Sequence, residues 1–287
     1  MNFLVVGTVR NCEKKIFETI KCIENGLHFA NKVEYFFVES DSDDMTLNSL
    51  EKRSKYKRNF SYESYGRLRS HKRLRTDRLA ICRNRYLEYL KNEKNNWVQY
   101  LIVVDADGVC SFLNSKIVRE IIFKNNWAVM TANRRTKYYD IFALRHKTWC
   151  PQDFNISIKE DLKNGLNYSQ AYYKNVTSKM VYIKSSSDLI EVDSAFGGLA
   201  IYKKSSIPKN AKYNGLDENN EEICEHVSFH NSIRKNKGKI FINPKLIIGP
   251  SLIKFSIKIT INALECFLKE ILIKLRKLKN INLNCKS

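Results

Sequence analysis

Two short acidic strings carry the most chemistry in this 287-residue sequence. The stretch YLIVVDADG sets Asp105 and Asp107 directly after an apolar run that reads as a buried strand. Two carboxylates one residue apart can hold one hard divalent cation and leave positions open for phosphate oxygens. In open α/β sheets, ligands bind beyond the carboxyl ends of strands, where this pair would lie. A solvated turn is the competing reading, because Asp is favoured in turns. The stretch FFVESDSDDMT ends a second apolar run similarly, with Glu39, Asp41, Asp43 and Asp44 in one loop. Glu39 would accept hydrogen bonds from a ribose or base. Asp44 or Thr46 would cap the next helix.

A third string, GTVRN, ends the first apolar run and offers Thr8, Arg10 and Asn11 to a nucleotide lying across the sheet edge. Arg10 suits a phosphate or a base carbonyl. The string has one glycine, so GxGxxG and Walker loops are absent, which argues against a dinucleotide dehydrogenase and a P-loop kinase. No GxSxG context exists for a serine hydrolase. His226 and His230 are spaced i, i+4 and share a helix face. The glutamate of a zinc-binding HExxH is Val227 here. Ordinary hydrogen bonding and a single metal contact from His226, opposite Asp105 and Asp107, are both open readings.

The net charge is +20, from 50 Lys and Arg against 30 Asp and Glu. It is concentrated in two places. Residues 52–85 hold 13 basic and 2 acidic side chains, and residues 251–287 hold 8 and 2. Such an excess implies a polyanionic partner. Two local patches with no zinc finger, RNP motif or GXXG loop argue against a nucleic-acid module. The rival reading, a non-catalytic binder of nucleic acid or another polyanion, leaves the acidic pairs at two strand ends unexplained. The eight cysteines contain no CxxC. The N-terminus lacks a basic region before its short apolar run and reads as a strand rather than a secretory signal. Reduced thiols and a cytoplasmic site are therefore expected.

The elements that must position these residues alternate. Strands are predicted at Phe3–Val6, Val33–Val38, Val98–Val104, Trp127–Thr131, Leu199–Tyr202 and Lys239–Ile242. Helices are predicted at Glu13–Asn25, from Thr46, and at Asp77–Lys91, Asn114–Lys124 and Asn219–Lys235. Strands spaced by helices argue for a mostly parallel sheet. Residues 133–190 read as long loops with short elements. Leu264, Leu268, Ile271, Leu275 and Leu278 form one apolar face of a final helix with lysines around it, which suits a membrane interface or a packing surface.

Taken together, GTVRN, VESDSDD, RTDRLAICRNRYLEYL, VVDADG, YYDIFALR, FGGLAIYKKS and CEHVSFHNSI, in that order, resemble a glycosyltransferase of the GT-A fold. Their order is similar to that of the fungal capsule-associated alpha-1,3-mannosyltransferase family and its bacterial relatives, over about residues 3–248. The resemblance implies a Rossmann-like α/β domain over 1–250, beyond which the apolar spacing gives a basic C-terminal helix over 251–287. It implies a metal-dependent transfer, with Mn²⁺ or Mg²⁺, from a nucleotide-sugar donor to a glycan or lipid-linked acceptor of lipopolysaccharide, lipooligosaccharide or capsule. Asp105 and Asp107 match the motif that binds the metal and sugar diphosphate. Arg78, Arg83 and Asn84 match a helix near the donor. Gly197 and Gly198 match the junction of donor and acceptor, with Asp140 on the acceptor side. Glu225 matches the position where inverting members place their base, although the usual second acid is His226 here. A peripheral location on the inner face of the plasma membrane follows from a lipid-linked acceptor, and no nucleic-acid partner is expected.

Overall fold

The computed structural model of this chain describes residues 1–249. The predicted C-terminal helix lies outside the described residues. Eight strands form one sheet in the order β3-β2-β1-β4-β7-β5-β8-β6. Strands β1 (Asn2–Val9), β2 (Lys32–Glu39), β3 (Phe60–Ser64) and β4 (Tyr100–Val104) are mutually parallel. Helices α1 (Ile16–Gly26), α2 (Thr46–Tyr56) and α3 (Arg75–Lys91) connect them. The chain runs outward from β1 to β3, then returns through α3 to place β4 on the other side of β1. That reversal makes a topological switch point between β1 and β4, the usual place for a ligand crevice.

The other half is mixed. Strand β7 (Leu199–Lys203) is antiparallel to both β4 and β5 (Val129–Arg134). Strand β8 (Ile240–Ile248) runs parallel to β5, and β6 (Ile190–Val192) closes the edge antiparallel to β8. Helix α4 (Ser115–Phe123) precedes β5. Helices α5 (Phe154–Lys163), α6 (Tyr168–Asn175) and α7 (Glu225–Lys235) complete the described chain. Among the described residues no helix is long and apolar enough to cross a membrane.

Strand alternation divides the core between the two faces. Leu4, Val6, Leu101 and Val103 join Leu87, Leu90, Phe229 and Ile233 of α3 and α7. Phe3, Val5, Ile102 and Val104 join Ile16, Ile20, Ile23 and Ile121 of α1 and α4. Both faces are covered, so these strands read in the sequence as continuous apolar runs.

The short elements expected between 133 and 190 include the helices α5 and α6. Two expectations are corrected. Helix α7 starts at Glu225 rather than Asn219; residues 217–222 form a tight turn bridged by Leu216 and Glu222. Strand β8 continues through Pro244, which lies where the β5–β8 register shifts between Thr131 and Asn133. The amide of Asn133 donates to the Pro244 carbonyl there, at 3.0 Å.

Candidate functional site

A cleft of about 330 Å³ opens at the carboxyl ends of β1, β2 and β4, at the switch point. The end of β1 supplies Thr8 and Arg10, and the turn after β4 supplies Asp105 and Asp107. Helix α3 supplies Arg75, Arg78 and Arg83. The segment after β5 supplies Tyr139 and Asp140, and α7 supplies Glu225 and His226. Elements distant in sequence thus bring most of the predicted site residues to one place.

The floor is acidic. Asp105 lies beside Asp107, Asp140 and Glu225, and a third of its side chain stays exposed toward the cleft. Burial pushes its carboxyl up to about 7; Arg83 opposes that, and the neighbouring carboxylates reinforce it. Arg83 is the buried counter-charge. Its Nε donates to Glu225 Oε1 at 2.8 Å, one terminal nitrogen donates to the Tyr86 hydroxyl at 3.2 Å, and the other stands 3.7 Å from Asp105 Oδ1. The guanidinium lies 5.3 Å from the Phe196 ring and 5.7 Å from the Tyr213 ring. Burial opposes its charge, but the surrounding acidic oxygens outweigh that and raise its affinity for the proton.

The wall toward β2 and α3 is built differently. Asp41 is buried with φ of +63°, and its carboxylate accepts from the Arg69 amide at 2.9 Å and pairs with Arg78 at 3.3 Å. Arg78 also donates to the carbonyls of Lys72 and Arg73, both at 2.7 Å, so it ties this loop together. Arg10 and Arg75 are exposed, line the same cleft, and have no acidic partner among the described residues. Arg75 belongs to the basic cluster 67–85, whose residues are candidate phosphate partners as a group and are not distinguished singly by the sequence. One basic residue among thirteen gives no signal until α3 turns it toward the cleft. Asp41 was named only as one acid in a crowded loop.

Several expected site residues do other work. Glu39 is buried, and its carboxylate accepts the Ser42 amide at 2.9 Å and the Ser64 hydroxyl, so it clamps β2 to β3 rather than facing a donor. Asn11 accepts the Asp43 amide at 2.7 Å and joins the loops after β1 and β2. Asn84 exchanges both its amide bonds with the Tyr213 backbone, at 2.8 and 2.9 Å. Gly197 and Gly198 do not line the cleft but knit its floor. The Gly197 amide donates to Asp140 at 2.8 Å, and the Gly198 carbonyl accepts the Asp105 amide at 3.0 Å. Asp44 caps the start of α2 through the Thr46 amide, at 3.0 Å.

His226, expected to contact the metal opposite Asp105 and Asp107, lines the same cleft. Among the described residues no group of three His, Cys, Asp or Glu side chains is arranged to hold an ion. His226 is stacked on Phe196 with centroids 4.0 Å apart, and both ring nitrogens are buried without a partner. Burial, followed by the charge of Arg83, holds its pKa well below the usual range, so the ring is neutral. His230 hydrogen-bonds Ser194 and Tyr202, both at 2.9 Å, which is the ordinary role. Asp105 and Asp107 offer two neighbouring hard oxygen donors at the cleft floor. Their crowding with Asp140 and Glu225 is the kind of excess negative charge that a divalent cation relieves. A two-carboxylate site with the remaining positions open fits Mg²⁺ or Mn²⁺ carrying phosphate oxygens.

No protein-family model and no curated protein matches the chain in sequence. Among solved structures it is similar to the mannosyltransferase PcManGT from Pyrobaculum calidifontis in complex with GDP-Man and Mn²⁺. That match has 12% identity and a TM-score of 0.49, over 86% of this chain and 55% of that one. It is also similar to residues 1–349 of S. aureus TarS, at 14% identity and a TM-score of 0.44, over 88% of this chain and 59% of that one. The same TarS fragment in complex with UDP-GlcNAc matches at 13% identity and a TM-score of 0.42. The chain thus spans a little over half the length of these three structures.

Proposed function

We propose that this chain is a metal-dependent glycosyltransferase. It would move a sugar from a nucleotide-sugar donor to a glycan acceptor of lipopolysaccharide, lipooligosaccharide or capsule type, as the resemblance to the capsule-associated group implies. The observation that carries the reading is one cleft at the sheet's switch point with a carboxylate floor and free arginines at its edge. A polyanion binder would not place four carboxylates where phosphates must sit.

Asp105 and Asp107 are assigned to hold Mn²⁺ or Mg²⁺. When bound, the cation supplies charge neutralisation for the departing nucleoside diphosphate. Arg10 and Arg75 face the same space and are assigned to phosphate oxygens, whose charge grows as the glycosidic bond breaks. Arg83 acts behind them, holding Glu225 and Asp105 in register. Glu225 uses Oε1 for Arg83, and we assign its other oxygen to accept the acceptor hydroxyl's proton. Arg83 holds the carboxylate in one orientation, so positioning carries much of the acceleration in this scheme.

A lipid-linked acceptor would bring the protein to the cytoplasmic face of the plasma membrane. The basic amphipathic pattern over 251–287 would supply the contact with anionic headgroups. The test is incubation of the purified full-length protein with labelled nucleotide sugars and Mn²⁺. Hydrolysis or transfer of one donor is expected. No turnover and no nucleotide binding across a broad panel, with tight salt-sensitive binding to RNA or DNA, would replace this reading with the polyanion binder. Sedimentation with anionic vesicles at low salt tests the membrane contact separately: the full chain should pellet, and a chain ending at Gly249 should not.

A further inference from the structure

The segment that follows Asp107 lies along helix α1 at three successive places. The Lys15 side chain occupies the space where a Cβ on Gly108 would stand, 2.7 Å from its Cδ. Leu113 likewise fills the space beside Gly26. Between these two contacts, the sulfurs of Cys22 and Cys110 are 3.3 Å apart. Both thiols are free and buried, and they are 88 residues apart in the chain. We infer that Cys22 and Cys110 form a disulfide-forming thiol pair, a covalent modification site that clasps α1 to the loop carrying Asp107.

The two sulfurs are nearer each other than ordinary non-bonded sulfurs. A shift of about 1.3 Å would bring them to the ~2.0 Å of a disulfide bond. The glycine at 108 has φ of +84°, so the loop's path is set by a residue that tolerates unusual backbone angles. The pair is also chemically distinct from its neighbours. The hydrogen bond shared with Cys110 lowers the pKa of Cys22 against the effect of burial. Cys12 is pushed up to about 12 and Cys82 and Cys150 to about 11, in each case by burial first. The thiolate is the reactive species, and Cys22 is 7% exposed where Cys110 is fully enclosed, so Cys22 stands first in the exchange.

The oxidant is a small-molecule disulfide such as oxidised glutathione. The Cys22 thiolate attacks one glutathione sulfur, forming a mixed disulfide and expelling a glutathione thiolate. The Cys110 sulfur then attacks the Cys22 sulfur and expels the second glutathione. The two protons given up by the protein thiols go to the two released thiolates. Two protein thiols are oxidised and one external disulfide is reduced, so the exchange balances.

The test is covalent and independent of the proposed transfer reaction. Native full-length protein is incubated with oxidised glutathione, then unfolded, alkylated and mapped by peptide mass spectrometry. The expected product is a peptide linking Cys22 to Cys110, with Cys12, Cys82, Cys150 and Cys224 still alkylated, reversed by dithiothreitol. Closing so long a loop should raise the thermal midpoint by roughly 5 °C or more, again reversibly. Cys22→Ser should remove both the linked peptide and the shift. If that variant does not fold, Cys110→Ala serves, and the wild-type map decides alone if neither folds. Full alkylation of Cys22 and Cys110 after oxidation, glutathione retained on Cys22 alone, linkage to another cysteine, or an unmoved midpoint would overturn the inference.

Discussion

Arg83 joins two carboxylates that come from different ends of the chain: Glu225 at 2.8 Å and Asp105 at 3.7 Å. The arginine is 4% exposed and Glu225 3% exposed, so neither charge has water to fall back on. Glu225 is the first residue of α7, where the helix dipole also favours a negative charge. The ion pair therefore fixes the start of α7 against the turn after β4.

Removing one partner of a buried pair strands the other charge. Arg83→Met should destabilise the fold by about 3–5 kcal/mol in urea unfolding. The double variant Arg83→Met with Glu225→Gln should recover part of that loss, because no lone charge is left buried. A double variant as unstable as the sum of its parts would show that the two side chains act independently.

Asp107 accepts the Val109 amide through Oδ1 at 3.1 Å, which bends the loop and presents the carboxylate at the cleft. Asp107→Ala should reduce donor turnover by more than 100-fold and weaken Mn²⁺-dependent nucleotide binding, measured by calorimetry. EDTA should reproduce the loss in the wild type, with Mn²⁺ restoring it. Full turnover in EDTA would remove the metal from the scheme.

The strands that carry these residues were legible in the sequence because both sheet faces are covered. LVV in β1, FFV in β2 and LIVV in β4 have no polar interruption. Strand β3 was not legible: FSYES is half-buried at the sheet edge and sits inside the basic run, so neither periodicity nor apolarity marks it. The insertion of antiparallel β7 between β4 and β5 depends on contacts across more than 60 residues, which no local pattern records. At the site, residue types foretold the carboxylates but not their partners. Glu39 and Asn84 looked like donor contacts until the structure spent their hydrogen bonds on Ser42, Ser64 and the Tyr213 backbone. Arg83 was expected near the donor, and in the structure it is the buried tie between Glu225 and Asp105.

The raised pKa of Asp105 makes stability depend on pH. In the unfolded chain its carboxyl titrates near 3.9, and in the folded protein at about 7. Between these values the folded state holds a proton that the unfolded state has released. Its contribution therefore falls as pH rises through that window and is lost above about 7. In EDTA, the stability of the wild type relative to Asp105→Asn should decline between pH 4 and pH 7 and then level off, by urea unfolding. Mn²⁺ at pH 8 should restore the wild type and leave the variant unchanged. A difference between the two that does not vary with pH would place the Asp105 carboxyl in the ordinary range.

Gly198 couples the geometry of the floor to a single methyl group's worth of space. Its φ is +94°, and a Cβ there would stand 2.4 Å from Val109 Cγ1. Its carbonyl accepts the Asp105 amide at 3.0 Å, and Val109 in turn donates its amide to Asp107. Gly198→Ala should therefore press on both ends of the acidic turn. Gly165 provides the control, because its φ is +92° and nothing lies within 4 Å of its missing Cβ. Both alanine variants pay for the left-handed backbone, roughly 1 kcal/mol or more. Gly198→Ala should lose roughly a further 1–3 kcal/mol to overpacking, and its Mn²⁺-dependent nucleotide affinity should fall several-fold while that of Gly165→Ala holds. Equal nucleotide affinity in the two variants would mean that the turn accommodates the methyl group without moving Asp105 or Asp107.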